Sequence, residues 1–199
     1  MALTFGLDLP DEMPEHPPAL LGRHQIDNAG AAIAALEGLP QFKLDAAALA
    51  QGLRHIEWPA RLQPLTRGPL AAMLPRGCEL WLDGGHNQAG GEVLAMQAAA
   101  WGDRPLHLVF GMLNTHDAEG FLRALAPHAQ TLGAVAIPDE ANSRSAEDSA
   151  AAGRKAGLDA KVYDSVRAAV SAAAAQPGPS RVLICGSLYL AGEVLAKNG

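Results

Sequence analysis

Residues 79–87, Glu-Leu-Trp-Leu-Asp-Gly-Gly-His-Asn, are the stretch on which the fold turns. A short apolar run closes on Asp83, two glycines follow, and Asn87 opens a segment with helical character that extends to about residue 101. That is the pattern of a buried strand, a tight turn and a helix. The same unit recurs downstream. Residues 106–110 (LHLVF) read as a strand and 117–126 as a helix; 132–137 as a strand and 145–156 as a helix. Residues 161–163 read as a short strand and 165–175 as a helix, and RVLIC at 181–185 leads into a closing helix over 188–197. Ser145, with Asp148 three residues on, has the form of a capping box. Upstream, 62–66 and 70–74 are expected to form a small hairpin about Gly68-Pro69. Strands that alternate with helices of ten or more residues pair in parallel through right-handed crossovers, which puts helices on both faces. The expected fold is therefore α/β: a three-layer, doubly wound, mostly parallel, Rossmann-like sheet of about six strands over residues 58–199.

Residues 1–57 have a different pattern. Pro10, Pro14, Pro17 and Pro18 break the first 21 residues into an extended lead-in. Ile26, Ala29, Ala32, Ile33 and Leu36 then fall at helical spacing, up to Gly38 and Pro40. A second helix runs from Asp45, placed to cap it, to about Ile56.

The 199 residues are 49% hydrophobic and 18% charged, which supplies a core and excludes global disorder. Only 5% are aromatic, so that core is aliphatic. A net charge of −6 argues against nucleic acid as a partner. No apolar run reaches the ~20 residues of a membrane span, and no secretory leader is visible. Cys78 and Cys185 have neither metal-ligand nor disulfide-framework spacing, and they read as small buried hydrophobes in a reduced, cytoplasmic protein.

In a doubly wound sheet, ligands sit outside the carboxyl ends of the strands. Those ends here are 83–87 (DGGHN), 111–117 (GMLNTHD), 138–142 (PDEAN) and 186–189 (GSLY). Asp83 at a strand end can accept two hydrogen bonds from a ribose diol, or can simply cap the following helix. The glycines allow a ligand close to the backbone, and the helix start favours an anion. Neither GxGxxG nor the P-loop GxxxxGK[ST] occurs, so nucleotide phosphates would be held mostly elsewhere.

Asp83-Gly84-Gly85-His86-Asn87 resembles the Asp-Gly-Ala-His-Asn signature of folylpolyglutamate synthases, in the Mur ligase superfamily. Three more segments match in order. GRHQIDNA (22–29) resembles G-x-H-Q-x-x-N-A, WPARLQ (58–63) resembles W-P-G-R-L-Q, and GSLYLAG (186–192) resembles G-S-L-Y-x-x-G. Gly85 stands for the usual Ala and Ala60 for the usual Gly, exchanges between small residues that are expected to matter little. His116 stands where the family usually has Lys, and would supply a charged contact only partly near pH 7.

The resemblance implies an ATP-dependent amide ligase that adds L-glutamate to folate or dihydropteroate through an acyl phosphate. It assigns residues 1–57 to the end of a central ATPase domain and 58–199 to the glutamate-ligase domain. Asn28 would hydrogen-bond adenine, Arg61 would reach the ATP phosphates, and Asp83 would hold the ribose; a surface ion pair is the plainer fate for Arg61. His86 and Ser187 would face the incoming glutamate, unless His86 only opens its helix and Ser187 only caps the last one. ATP and Mg²⁺ are the implied cofactors. The P-loop domain that binds them is the implied partner, without which this chain is expected to be inactive. A second reading keeps the fold and drops the reaction: a stand-alone nucleotide-binding or interaction module.

Overall fold

The computed structural model describes residues 24–39, 41 and 45–198. The expected extended lead-in over 1–21 lies outside them. The chain divides into two compact units, Met1–Trp58 and Pro59–Gly199.

In the first unit the described elements are two helices, α1 (His24–Glu37) and α2 (Ala46–Arg54). Asp45 caps α2, its carboxylate accepting from the Ala48 N–H at 2.8 Å. α2 buries no residue, and Ile26 and Leu36 of α1 are exposed.

The second unit is built on a six-stranded sheet. Its strands are β1 (Gln63–Pro64), β2 (Glu79–Leu82), β3 (Leu106–Phe110), β4 (Thr131–Ala134), β5 (Asp159–Val162) and β6 (Arg181–Cys185). The order is β1-β2-β6-β3-β4-β5, parallel throughout except for β1, which runs antiparallel along β2. The helices are α3 (Gly68–Ala71), α4 (Gln88–Ala100), α5 (Ala118–Leu125), α6 (Ala146–Lys155), α7 (Val166–Ala174) and α8 (Leu188–Asn198).

This order explains the two layers of helices. The chain steps from β2 past β6 to β3, β4 and β5 in one direction, so right-handed crossovers put α4, α5 and α6 on one face. The return from β5 to β6 reverses direction and carries α7 to the other face, where α8 joins it. The core is accordingly double. Leu94, Phe121, Leu122, Leu125 and Ala150 pack on Leu108 and Phe110 on the first side. Val170, Ala173, Leu190 and Val194 pack on Val109, Val182 and Ile184 on the second. β3 and β6 are buried along their whole length, as central parallel strands with unbroken apolar sequences should be.

One expected element is absent. Residues 62–66 and 70–74 do not pair with each other; β1 pairs with β2, continued by the Leu65 N–H to Leu80 carbonyl bond at 2.9 Å. Gly68 takes φ +89° and Pro69 follows at the start of α3, where its missing N–H costs nothing. Asn198 of α8 then fixes that turn, accepting from the Leu70 N–H at 2.8 Å and donating to the Arg67 carbonyl at 2.9 Å. The competing partner, 128 residues away, is what a local reading of Gly-Pro cannot see.

Both cysteines are free, Cys185 buried and Cys78 only half-buried against the expectation for it. No helix among the described residues is long and apolar enough to cross a membrane.

Candidate functional site

The carboxyl ends of β2 and β6 lie side by side, paired from Glu79–Arg181 to Leu82–Ile184. The register continues one step further, the Asp83 N–H donating to the Ile184 carbonyl at 2.9 Å. Beyond it both strands turn into helices, β2 through residues 83–87 into α4 and β6 through Gly186-Ser187 into α8. Gly186 has φ +109°, and a Cβ there would stand 2.7 Å from the Gly111 carbonyl oxygen and the Phe110 ring, so only glycine fits.

Asp83 is buried and anchors this edge. Its Oδ1 accepts from the Gly85 N–H at 2.7 Å and its Oδ2 from the Leu62 N–H at 2.8 Å. It does not cap α4. Asn87 does that, its side chain accepting from the Gly90 N–H at 2.8 Å. Asp83 instead ties the turn to the 58–63 connector, as does the Gly84 N–H to Ala60 carbonyl bond at 2.8 Å.

The connector needs that hold. Ala60 and Leu62 both take left-handed conformations, φ 57° and 44°. Each costs an L-residue roughly 1–2 kcal/mol. At Ala60 the buried methyl offsets about 0.8 kcal/mol of this. The exchange of glycine for alanine is thus tolerated by offset rather than by similarity. Gly85 is less interchangeable. A Cβ there would meet Asp83 Oδ1 at 2.9 Å, and that oxygen is pinned.

The outcome is the placement of Arg61. Its Nη1 donates to the Ala60 carbonyl at 3.3 Å and lies 3.2 Å from where a Gly84 Cβ would be, with Leu188 of α8 closing the same spot. No carboxylate pairs with Arg61 among the described residues.

Ser187 is buried, and its Oγ accepts from the Tyr189 N–H at 3.1 Å. It orders the first turn of α8, as the plainer reading has it, at the carboxyl end of β6. His86 is half-buried. Its Nδ1 lies 3.0 Å from the Gly84 carbonyl, and its ring centre lies 4.9 Å from that of His116, at the end of β3. Arg61, Asp83, His86 and Ser187 therefore gather on one edge of the second unit. Asn28 belongs to the first unit, where it is exposed and its Nδ2 donates to Gln25 Oε1 at 3.1 Å.

Cys185, at the end of β6, is not a nucleophile: complete burial, reinforced by the charge of Asp83, pushes its thiol far up. Two contributors were missed in the sequence. Leu62 is bound through its backbone, which carries no residue signature. Arg144 lies in an irregular loop, where no periodicity marks it. It donates from Nη2 to the His116 carbonyl at 3.1 Å and keeps a buried Nε without a partner.

A mostly parallel α/β sheet with a glycine-rich turn and two helix starts at its carboxyl edge belongs to the doubly wound class, whose ligands lie at the strand ends. The chain belongs to the Mur ligase family by its glutamate ligase domain, matched over residues 71–188. It is 31% identical over 180 residues to a probable bifunctional folylpolyglutamate synthase/dihydropteroate synthase of Halobacterium salinarum, covering 89% of this chain and 20% of that protein. A homologous protein of Haloferax volcanii, of the same description, is 30% identical over 179 residues. Among solved structures, Mycobacterium tuberculosis folylpolyglutamate synthase complexed with ADP superposes with a TM-score of 0.76 at 26% identity, over 89% of this chain and 40% of that one. E. coli FolC in complex with ADP superposes with a TM-score of 0.73 at 25% identity, over 92% of this chain and 41% of that one. The chain thus spans about a fifth of the curated relatives and two fifths of the solved ones.

Proposed function

We propose that this chain is the glutamate-ligase portion of an ATP-dependent carboxylate–amine ligase that joins L-glutamate to folate or dihydropteroate. The observation that carries the reading is the guanidinium of Arg61, set beside Gly84 by a strained connector and without a carboxylate partner among the described residues. Such a group is suited to the phosphates of a bound nucleotide, which its fork meets with two bonds.

In the proposed reaction the substrate carboxylate is phosphorylated by ATP. The amine of glutamate then attacks the acyl phosphate, forming the amide and expelling phosphate. Arg61 neutralises phosphate charge. Asp83 fixes the connector and is assigned to the ribose. Asn28 donates and accepts at adenine. His86 and Ser187 line the approach of glutamate. Among the described residues no group of three His, Cys, Asp or Glu could hold a metal ion. On this reading Mg²⁺ would be held mainly by a P-loop domain together with the nucleotide phosphates, and no step of this chain is routed through it.

The test is ATP-dependent incorporation of labelled L-glutamate into dihydropteroate or tetrahydrofolate. The chain alone is expected to be inactive and a polypeptide carrying a P-loop domain ahead of it active. Full activity from the 199 residues alone would overturn the division of labour proposed here.

A further inference from the structure

We propose that His86 and His116 together form a binding site for one borderline divalent transition metal, Zn²⁺ or Ni²⁺ in type, held by two imidazoles. Three observations carry it. First, the Gly84 carbonyl can only accept a hydrogen bond, so the His86 Nδ1 at 3.0 Å from it carries the proton. The Nε2 of neutral His86 then bears the lone pair. A backbone carbonyl on the distal nitrogen is the usual device that fixes the tautomer and orientation of a metal-binding imidazole.

Second, the spacing fits. A cation about 2.1 Å from one nitrogen of each ring lies about 3.2 Å from each ring centre, so a ligand–metal–ligand angle of about 100° sets the centres about 5 Å apart. The rings of His86 and His116 stand 4.9 Å apart, tilted by 46°. Third, both residues are held by their backbones and half open to solvent. The His116 N–H donates to the Leu113 carbonyl at 3.3 Å and its own carbonyl accepts from Arg144 at 3.1 Å, while His86 sits on the Gly84–Asp83 turn.

Asp83 and Asp117 lie on the same two loops as the histidines, their carboxylates accepting from backbone N–H groups, and Arg144 donates to the His116 carbonyl. No third His, Cys, Asp or Glu completes a ligand set among the described residues, so the remaining positions are open to water. The site is therefore exchangeable rather than structural. Imidazole nitrogen selects Zn²⁺, Ni²⁺ or Cu²⁺ over oxygen-seeking Mg²⁺. This inference does not rest on the ligase reading, because binding is measured without ATP or glutamate.

The experiment is calorimetric titration of the full chain with ZnCl₂ at pH 7.5, repeated with MgCl₂. One Zn²⁺ is expected to bind, weakened at least ~10-fold by His86→Ala or by His116→Ala and lost in the double variant. His55→Ala, at an exposed histidine of α2's C-terminus, should leave this binding unchanged. Circular dichroism of each variant controls for folding. One equivalent of Cu²⁺ added to the unsubstituted protein should also give an electron paramagnetic resonance spectrum with two nitrogen ligands. Zn²⁺ affinity unchanged in both single variants, or a Cu²⁺ spectrum with fewer than two nitrogens, overturns the proposal.

Discussion

Replacing Asp83 by Asn tests how the carboxyl edge of β2 is held to the connector. The carboxylate accepts from two backbone donors, Gly85 at 2.7 Å and Leu62 at 2.8 Å, in a buried setting. Asn preserves the shape but has one accepting oxygen, so its NH₂ group must face one of the two N–H groups. Leaving that buried donor unpaired costs about 2 kcal/mol, and weakening the other bond from charged to neutral costs about 1 kcal/mol more. The expected destabilisation is about 3 kcal/mol, or roughly 6–12 °C in Tm for a unit of this size. The assay is chemical or thermal unfolding followed by near-ultraviolet circular dichroism, where the Trp81–Trp101 pair, with ring centres 5.0 Å apart, reports on the second unit. A loss under about 0.5 kcal/mol would refute the anchoring role. The consequence for kinetics is direct. Lost activity in an Asp83 variant reports first on the connector that carries Arg61, and only then on any ribose contact.

Two further outcomes follow from packing and burial. Gly91 of α4 lies against α5 so closely that a Cβ would stand 2.7 Å from the Phe121 carbonyl oxygen and 3.1 Å from its Cα. Gly91→Ala must therefore push α4 and α5 apart, at about 1–3 kcal/mol, read by the same unfolding assay. His107 of β3 is buried with one nitrogen bonded to Thr131 Oγ1 at 2.8 Å, and burial lowers its pKa below the ordinary value. Its neutral form is the folded form. The stability tied to it is full above pH ~6.5 and falls as acid protonates the unfolded chain first. His107→Leu should therefore lose less stability than the parent between pH 7.5 and 5.5; an equal loss would exclude His107 as the source.

Much of this was legible in the sequence because the signals are local. LHLVF and RVLIC are unbroken apolar runs, and both are buried central strands. Asp45, Ser145 and Ser165 stood at helix starts, and each accepts from the backbone N–H three residues on. The Asp-Gly-Gly-His-Asn turn was visible as a strand end. Its internal wiring was not. Asn87 rather than Asp83 caps α4, because Asp83 is drawn to Leu62, 21 residues earlier. The 62–74 hairpin failed for the same reason, since β2 and Asn198 are distant competitors. The proximity of His86 and His116 depends on β2 and β3 flanking β6, an order that no spacing in the sequence records.

The central claim, that this edge of the sheet serves the phosphates of a nucleotide, rests most directly on Arg61, whose hydrogen bond among the described residues is to the neighbouring Ala60 carbonyl. Arg61→Ala, measured in the chain joined to a P-loop domain, should lower kcat/KM for ATP by about 100-fold. Tm should stay within about 2 °C of the parent, because the hydrogen bond lost is to the carbonyl of the adjacent residue and no ion pair among the described residues is broken. A variant with kcat/KM for ATP within threefold of the parent would contradict the account.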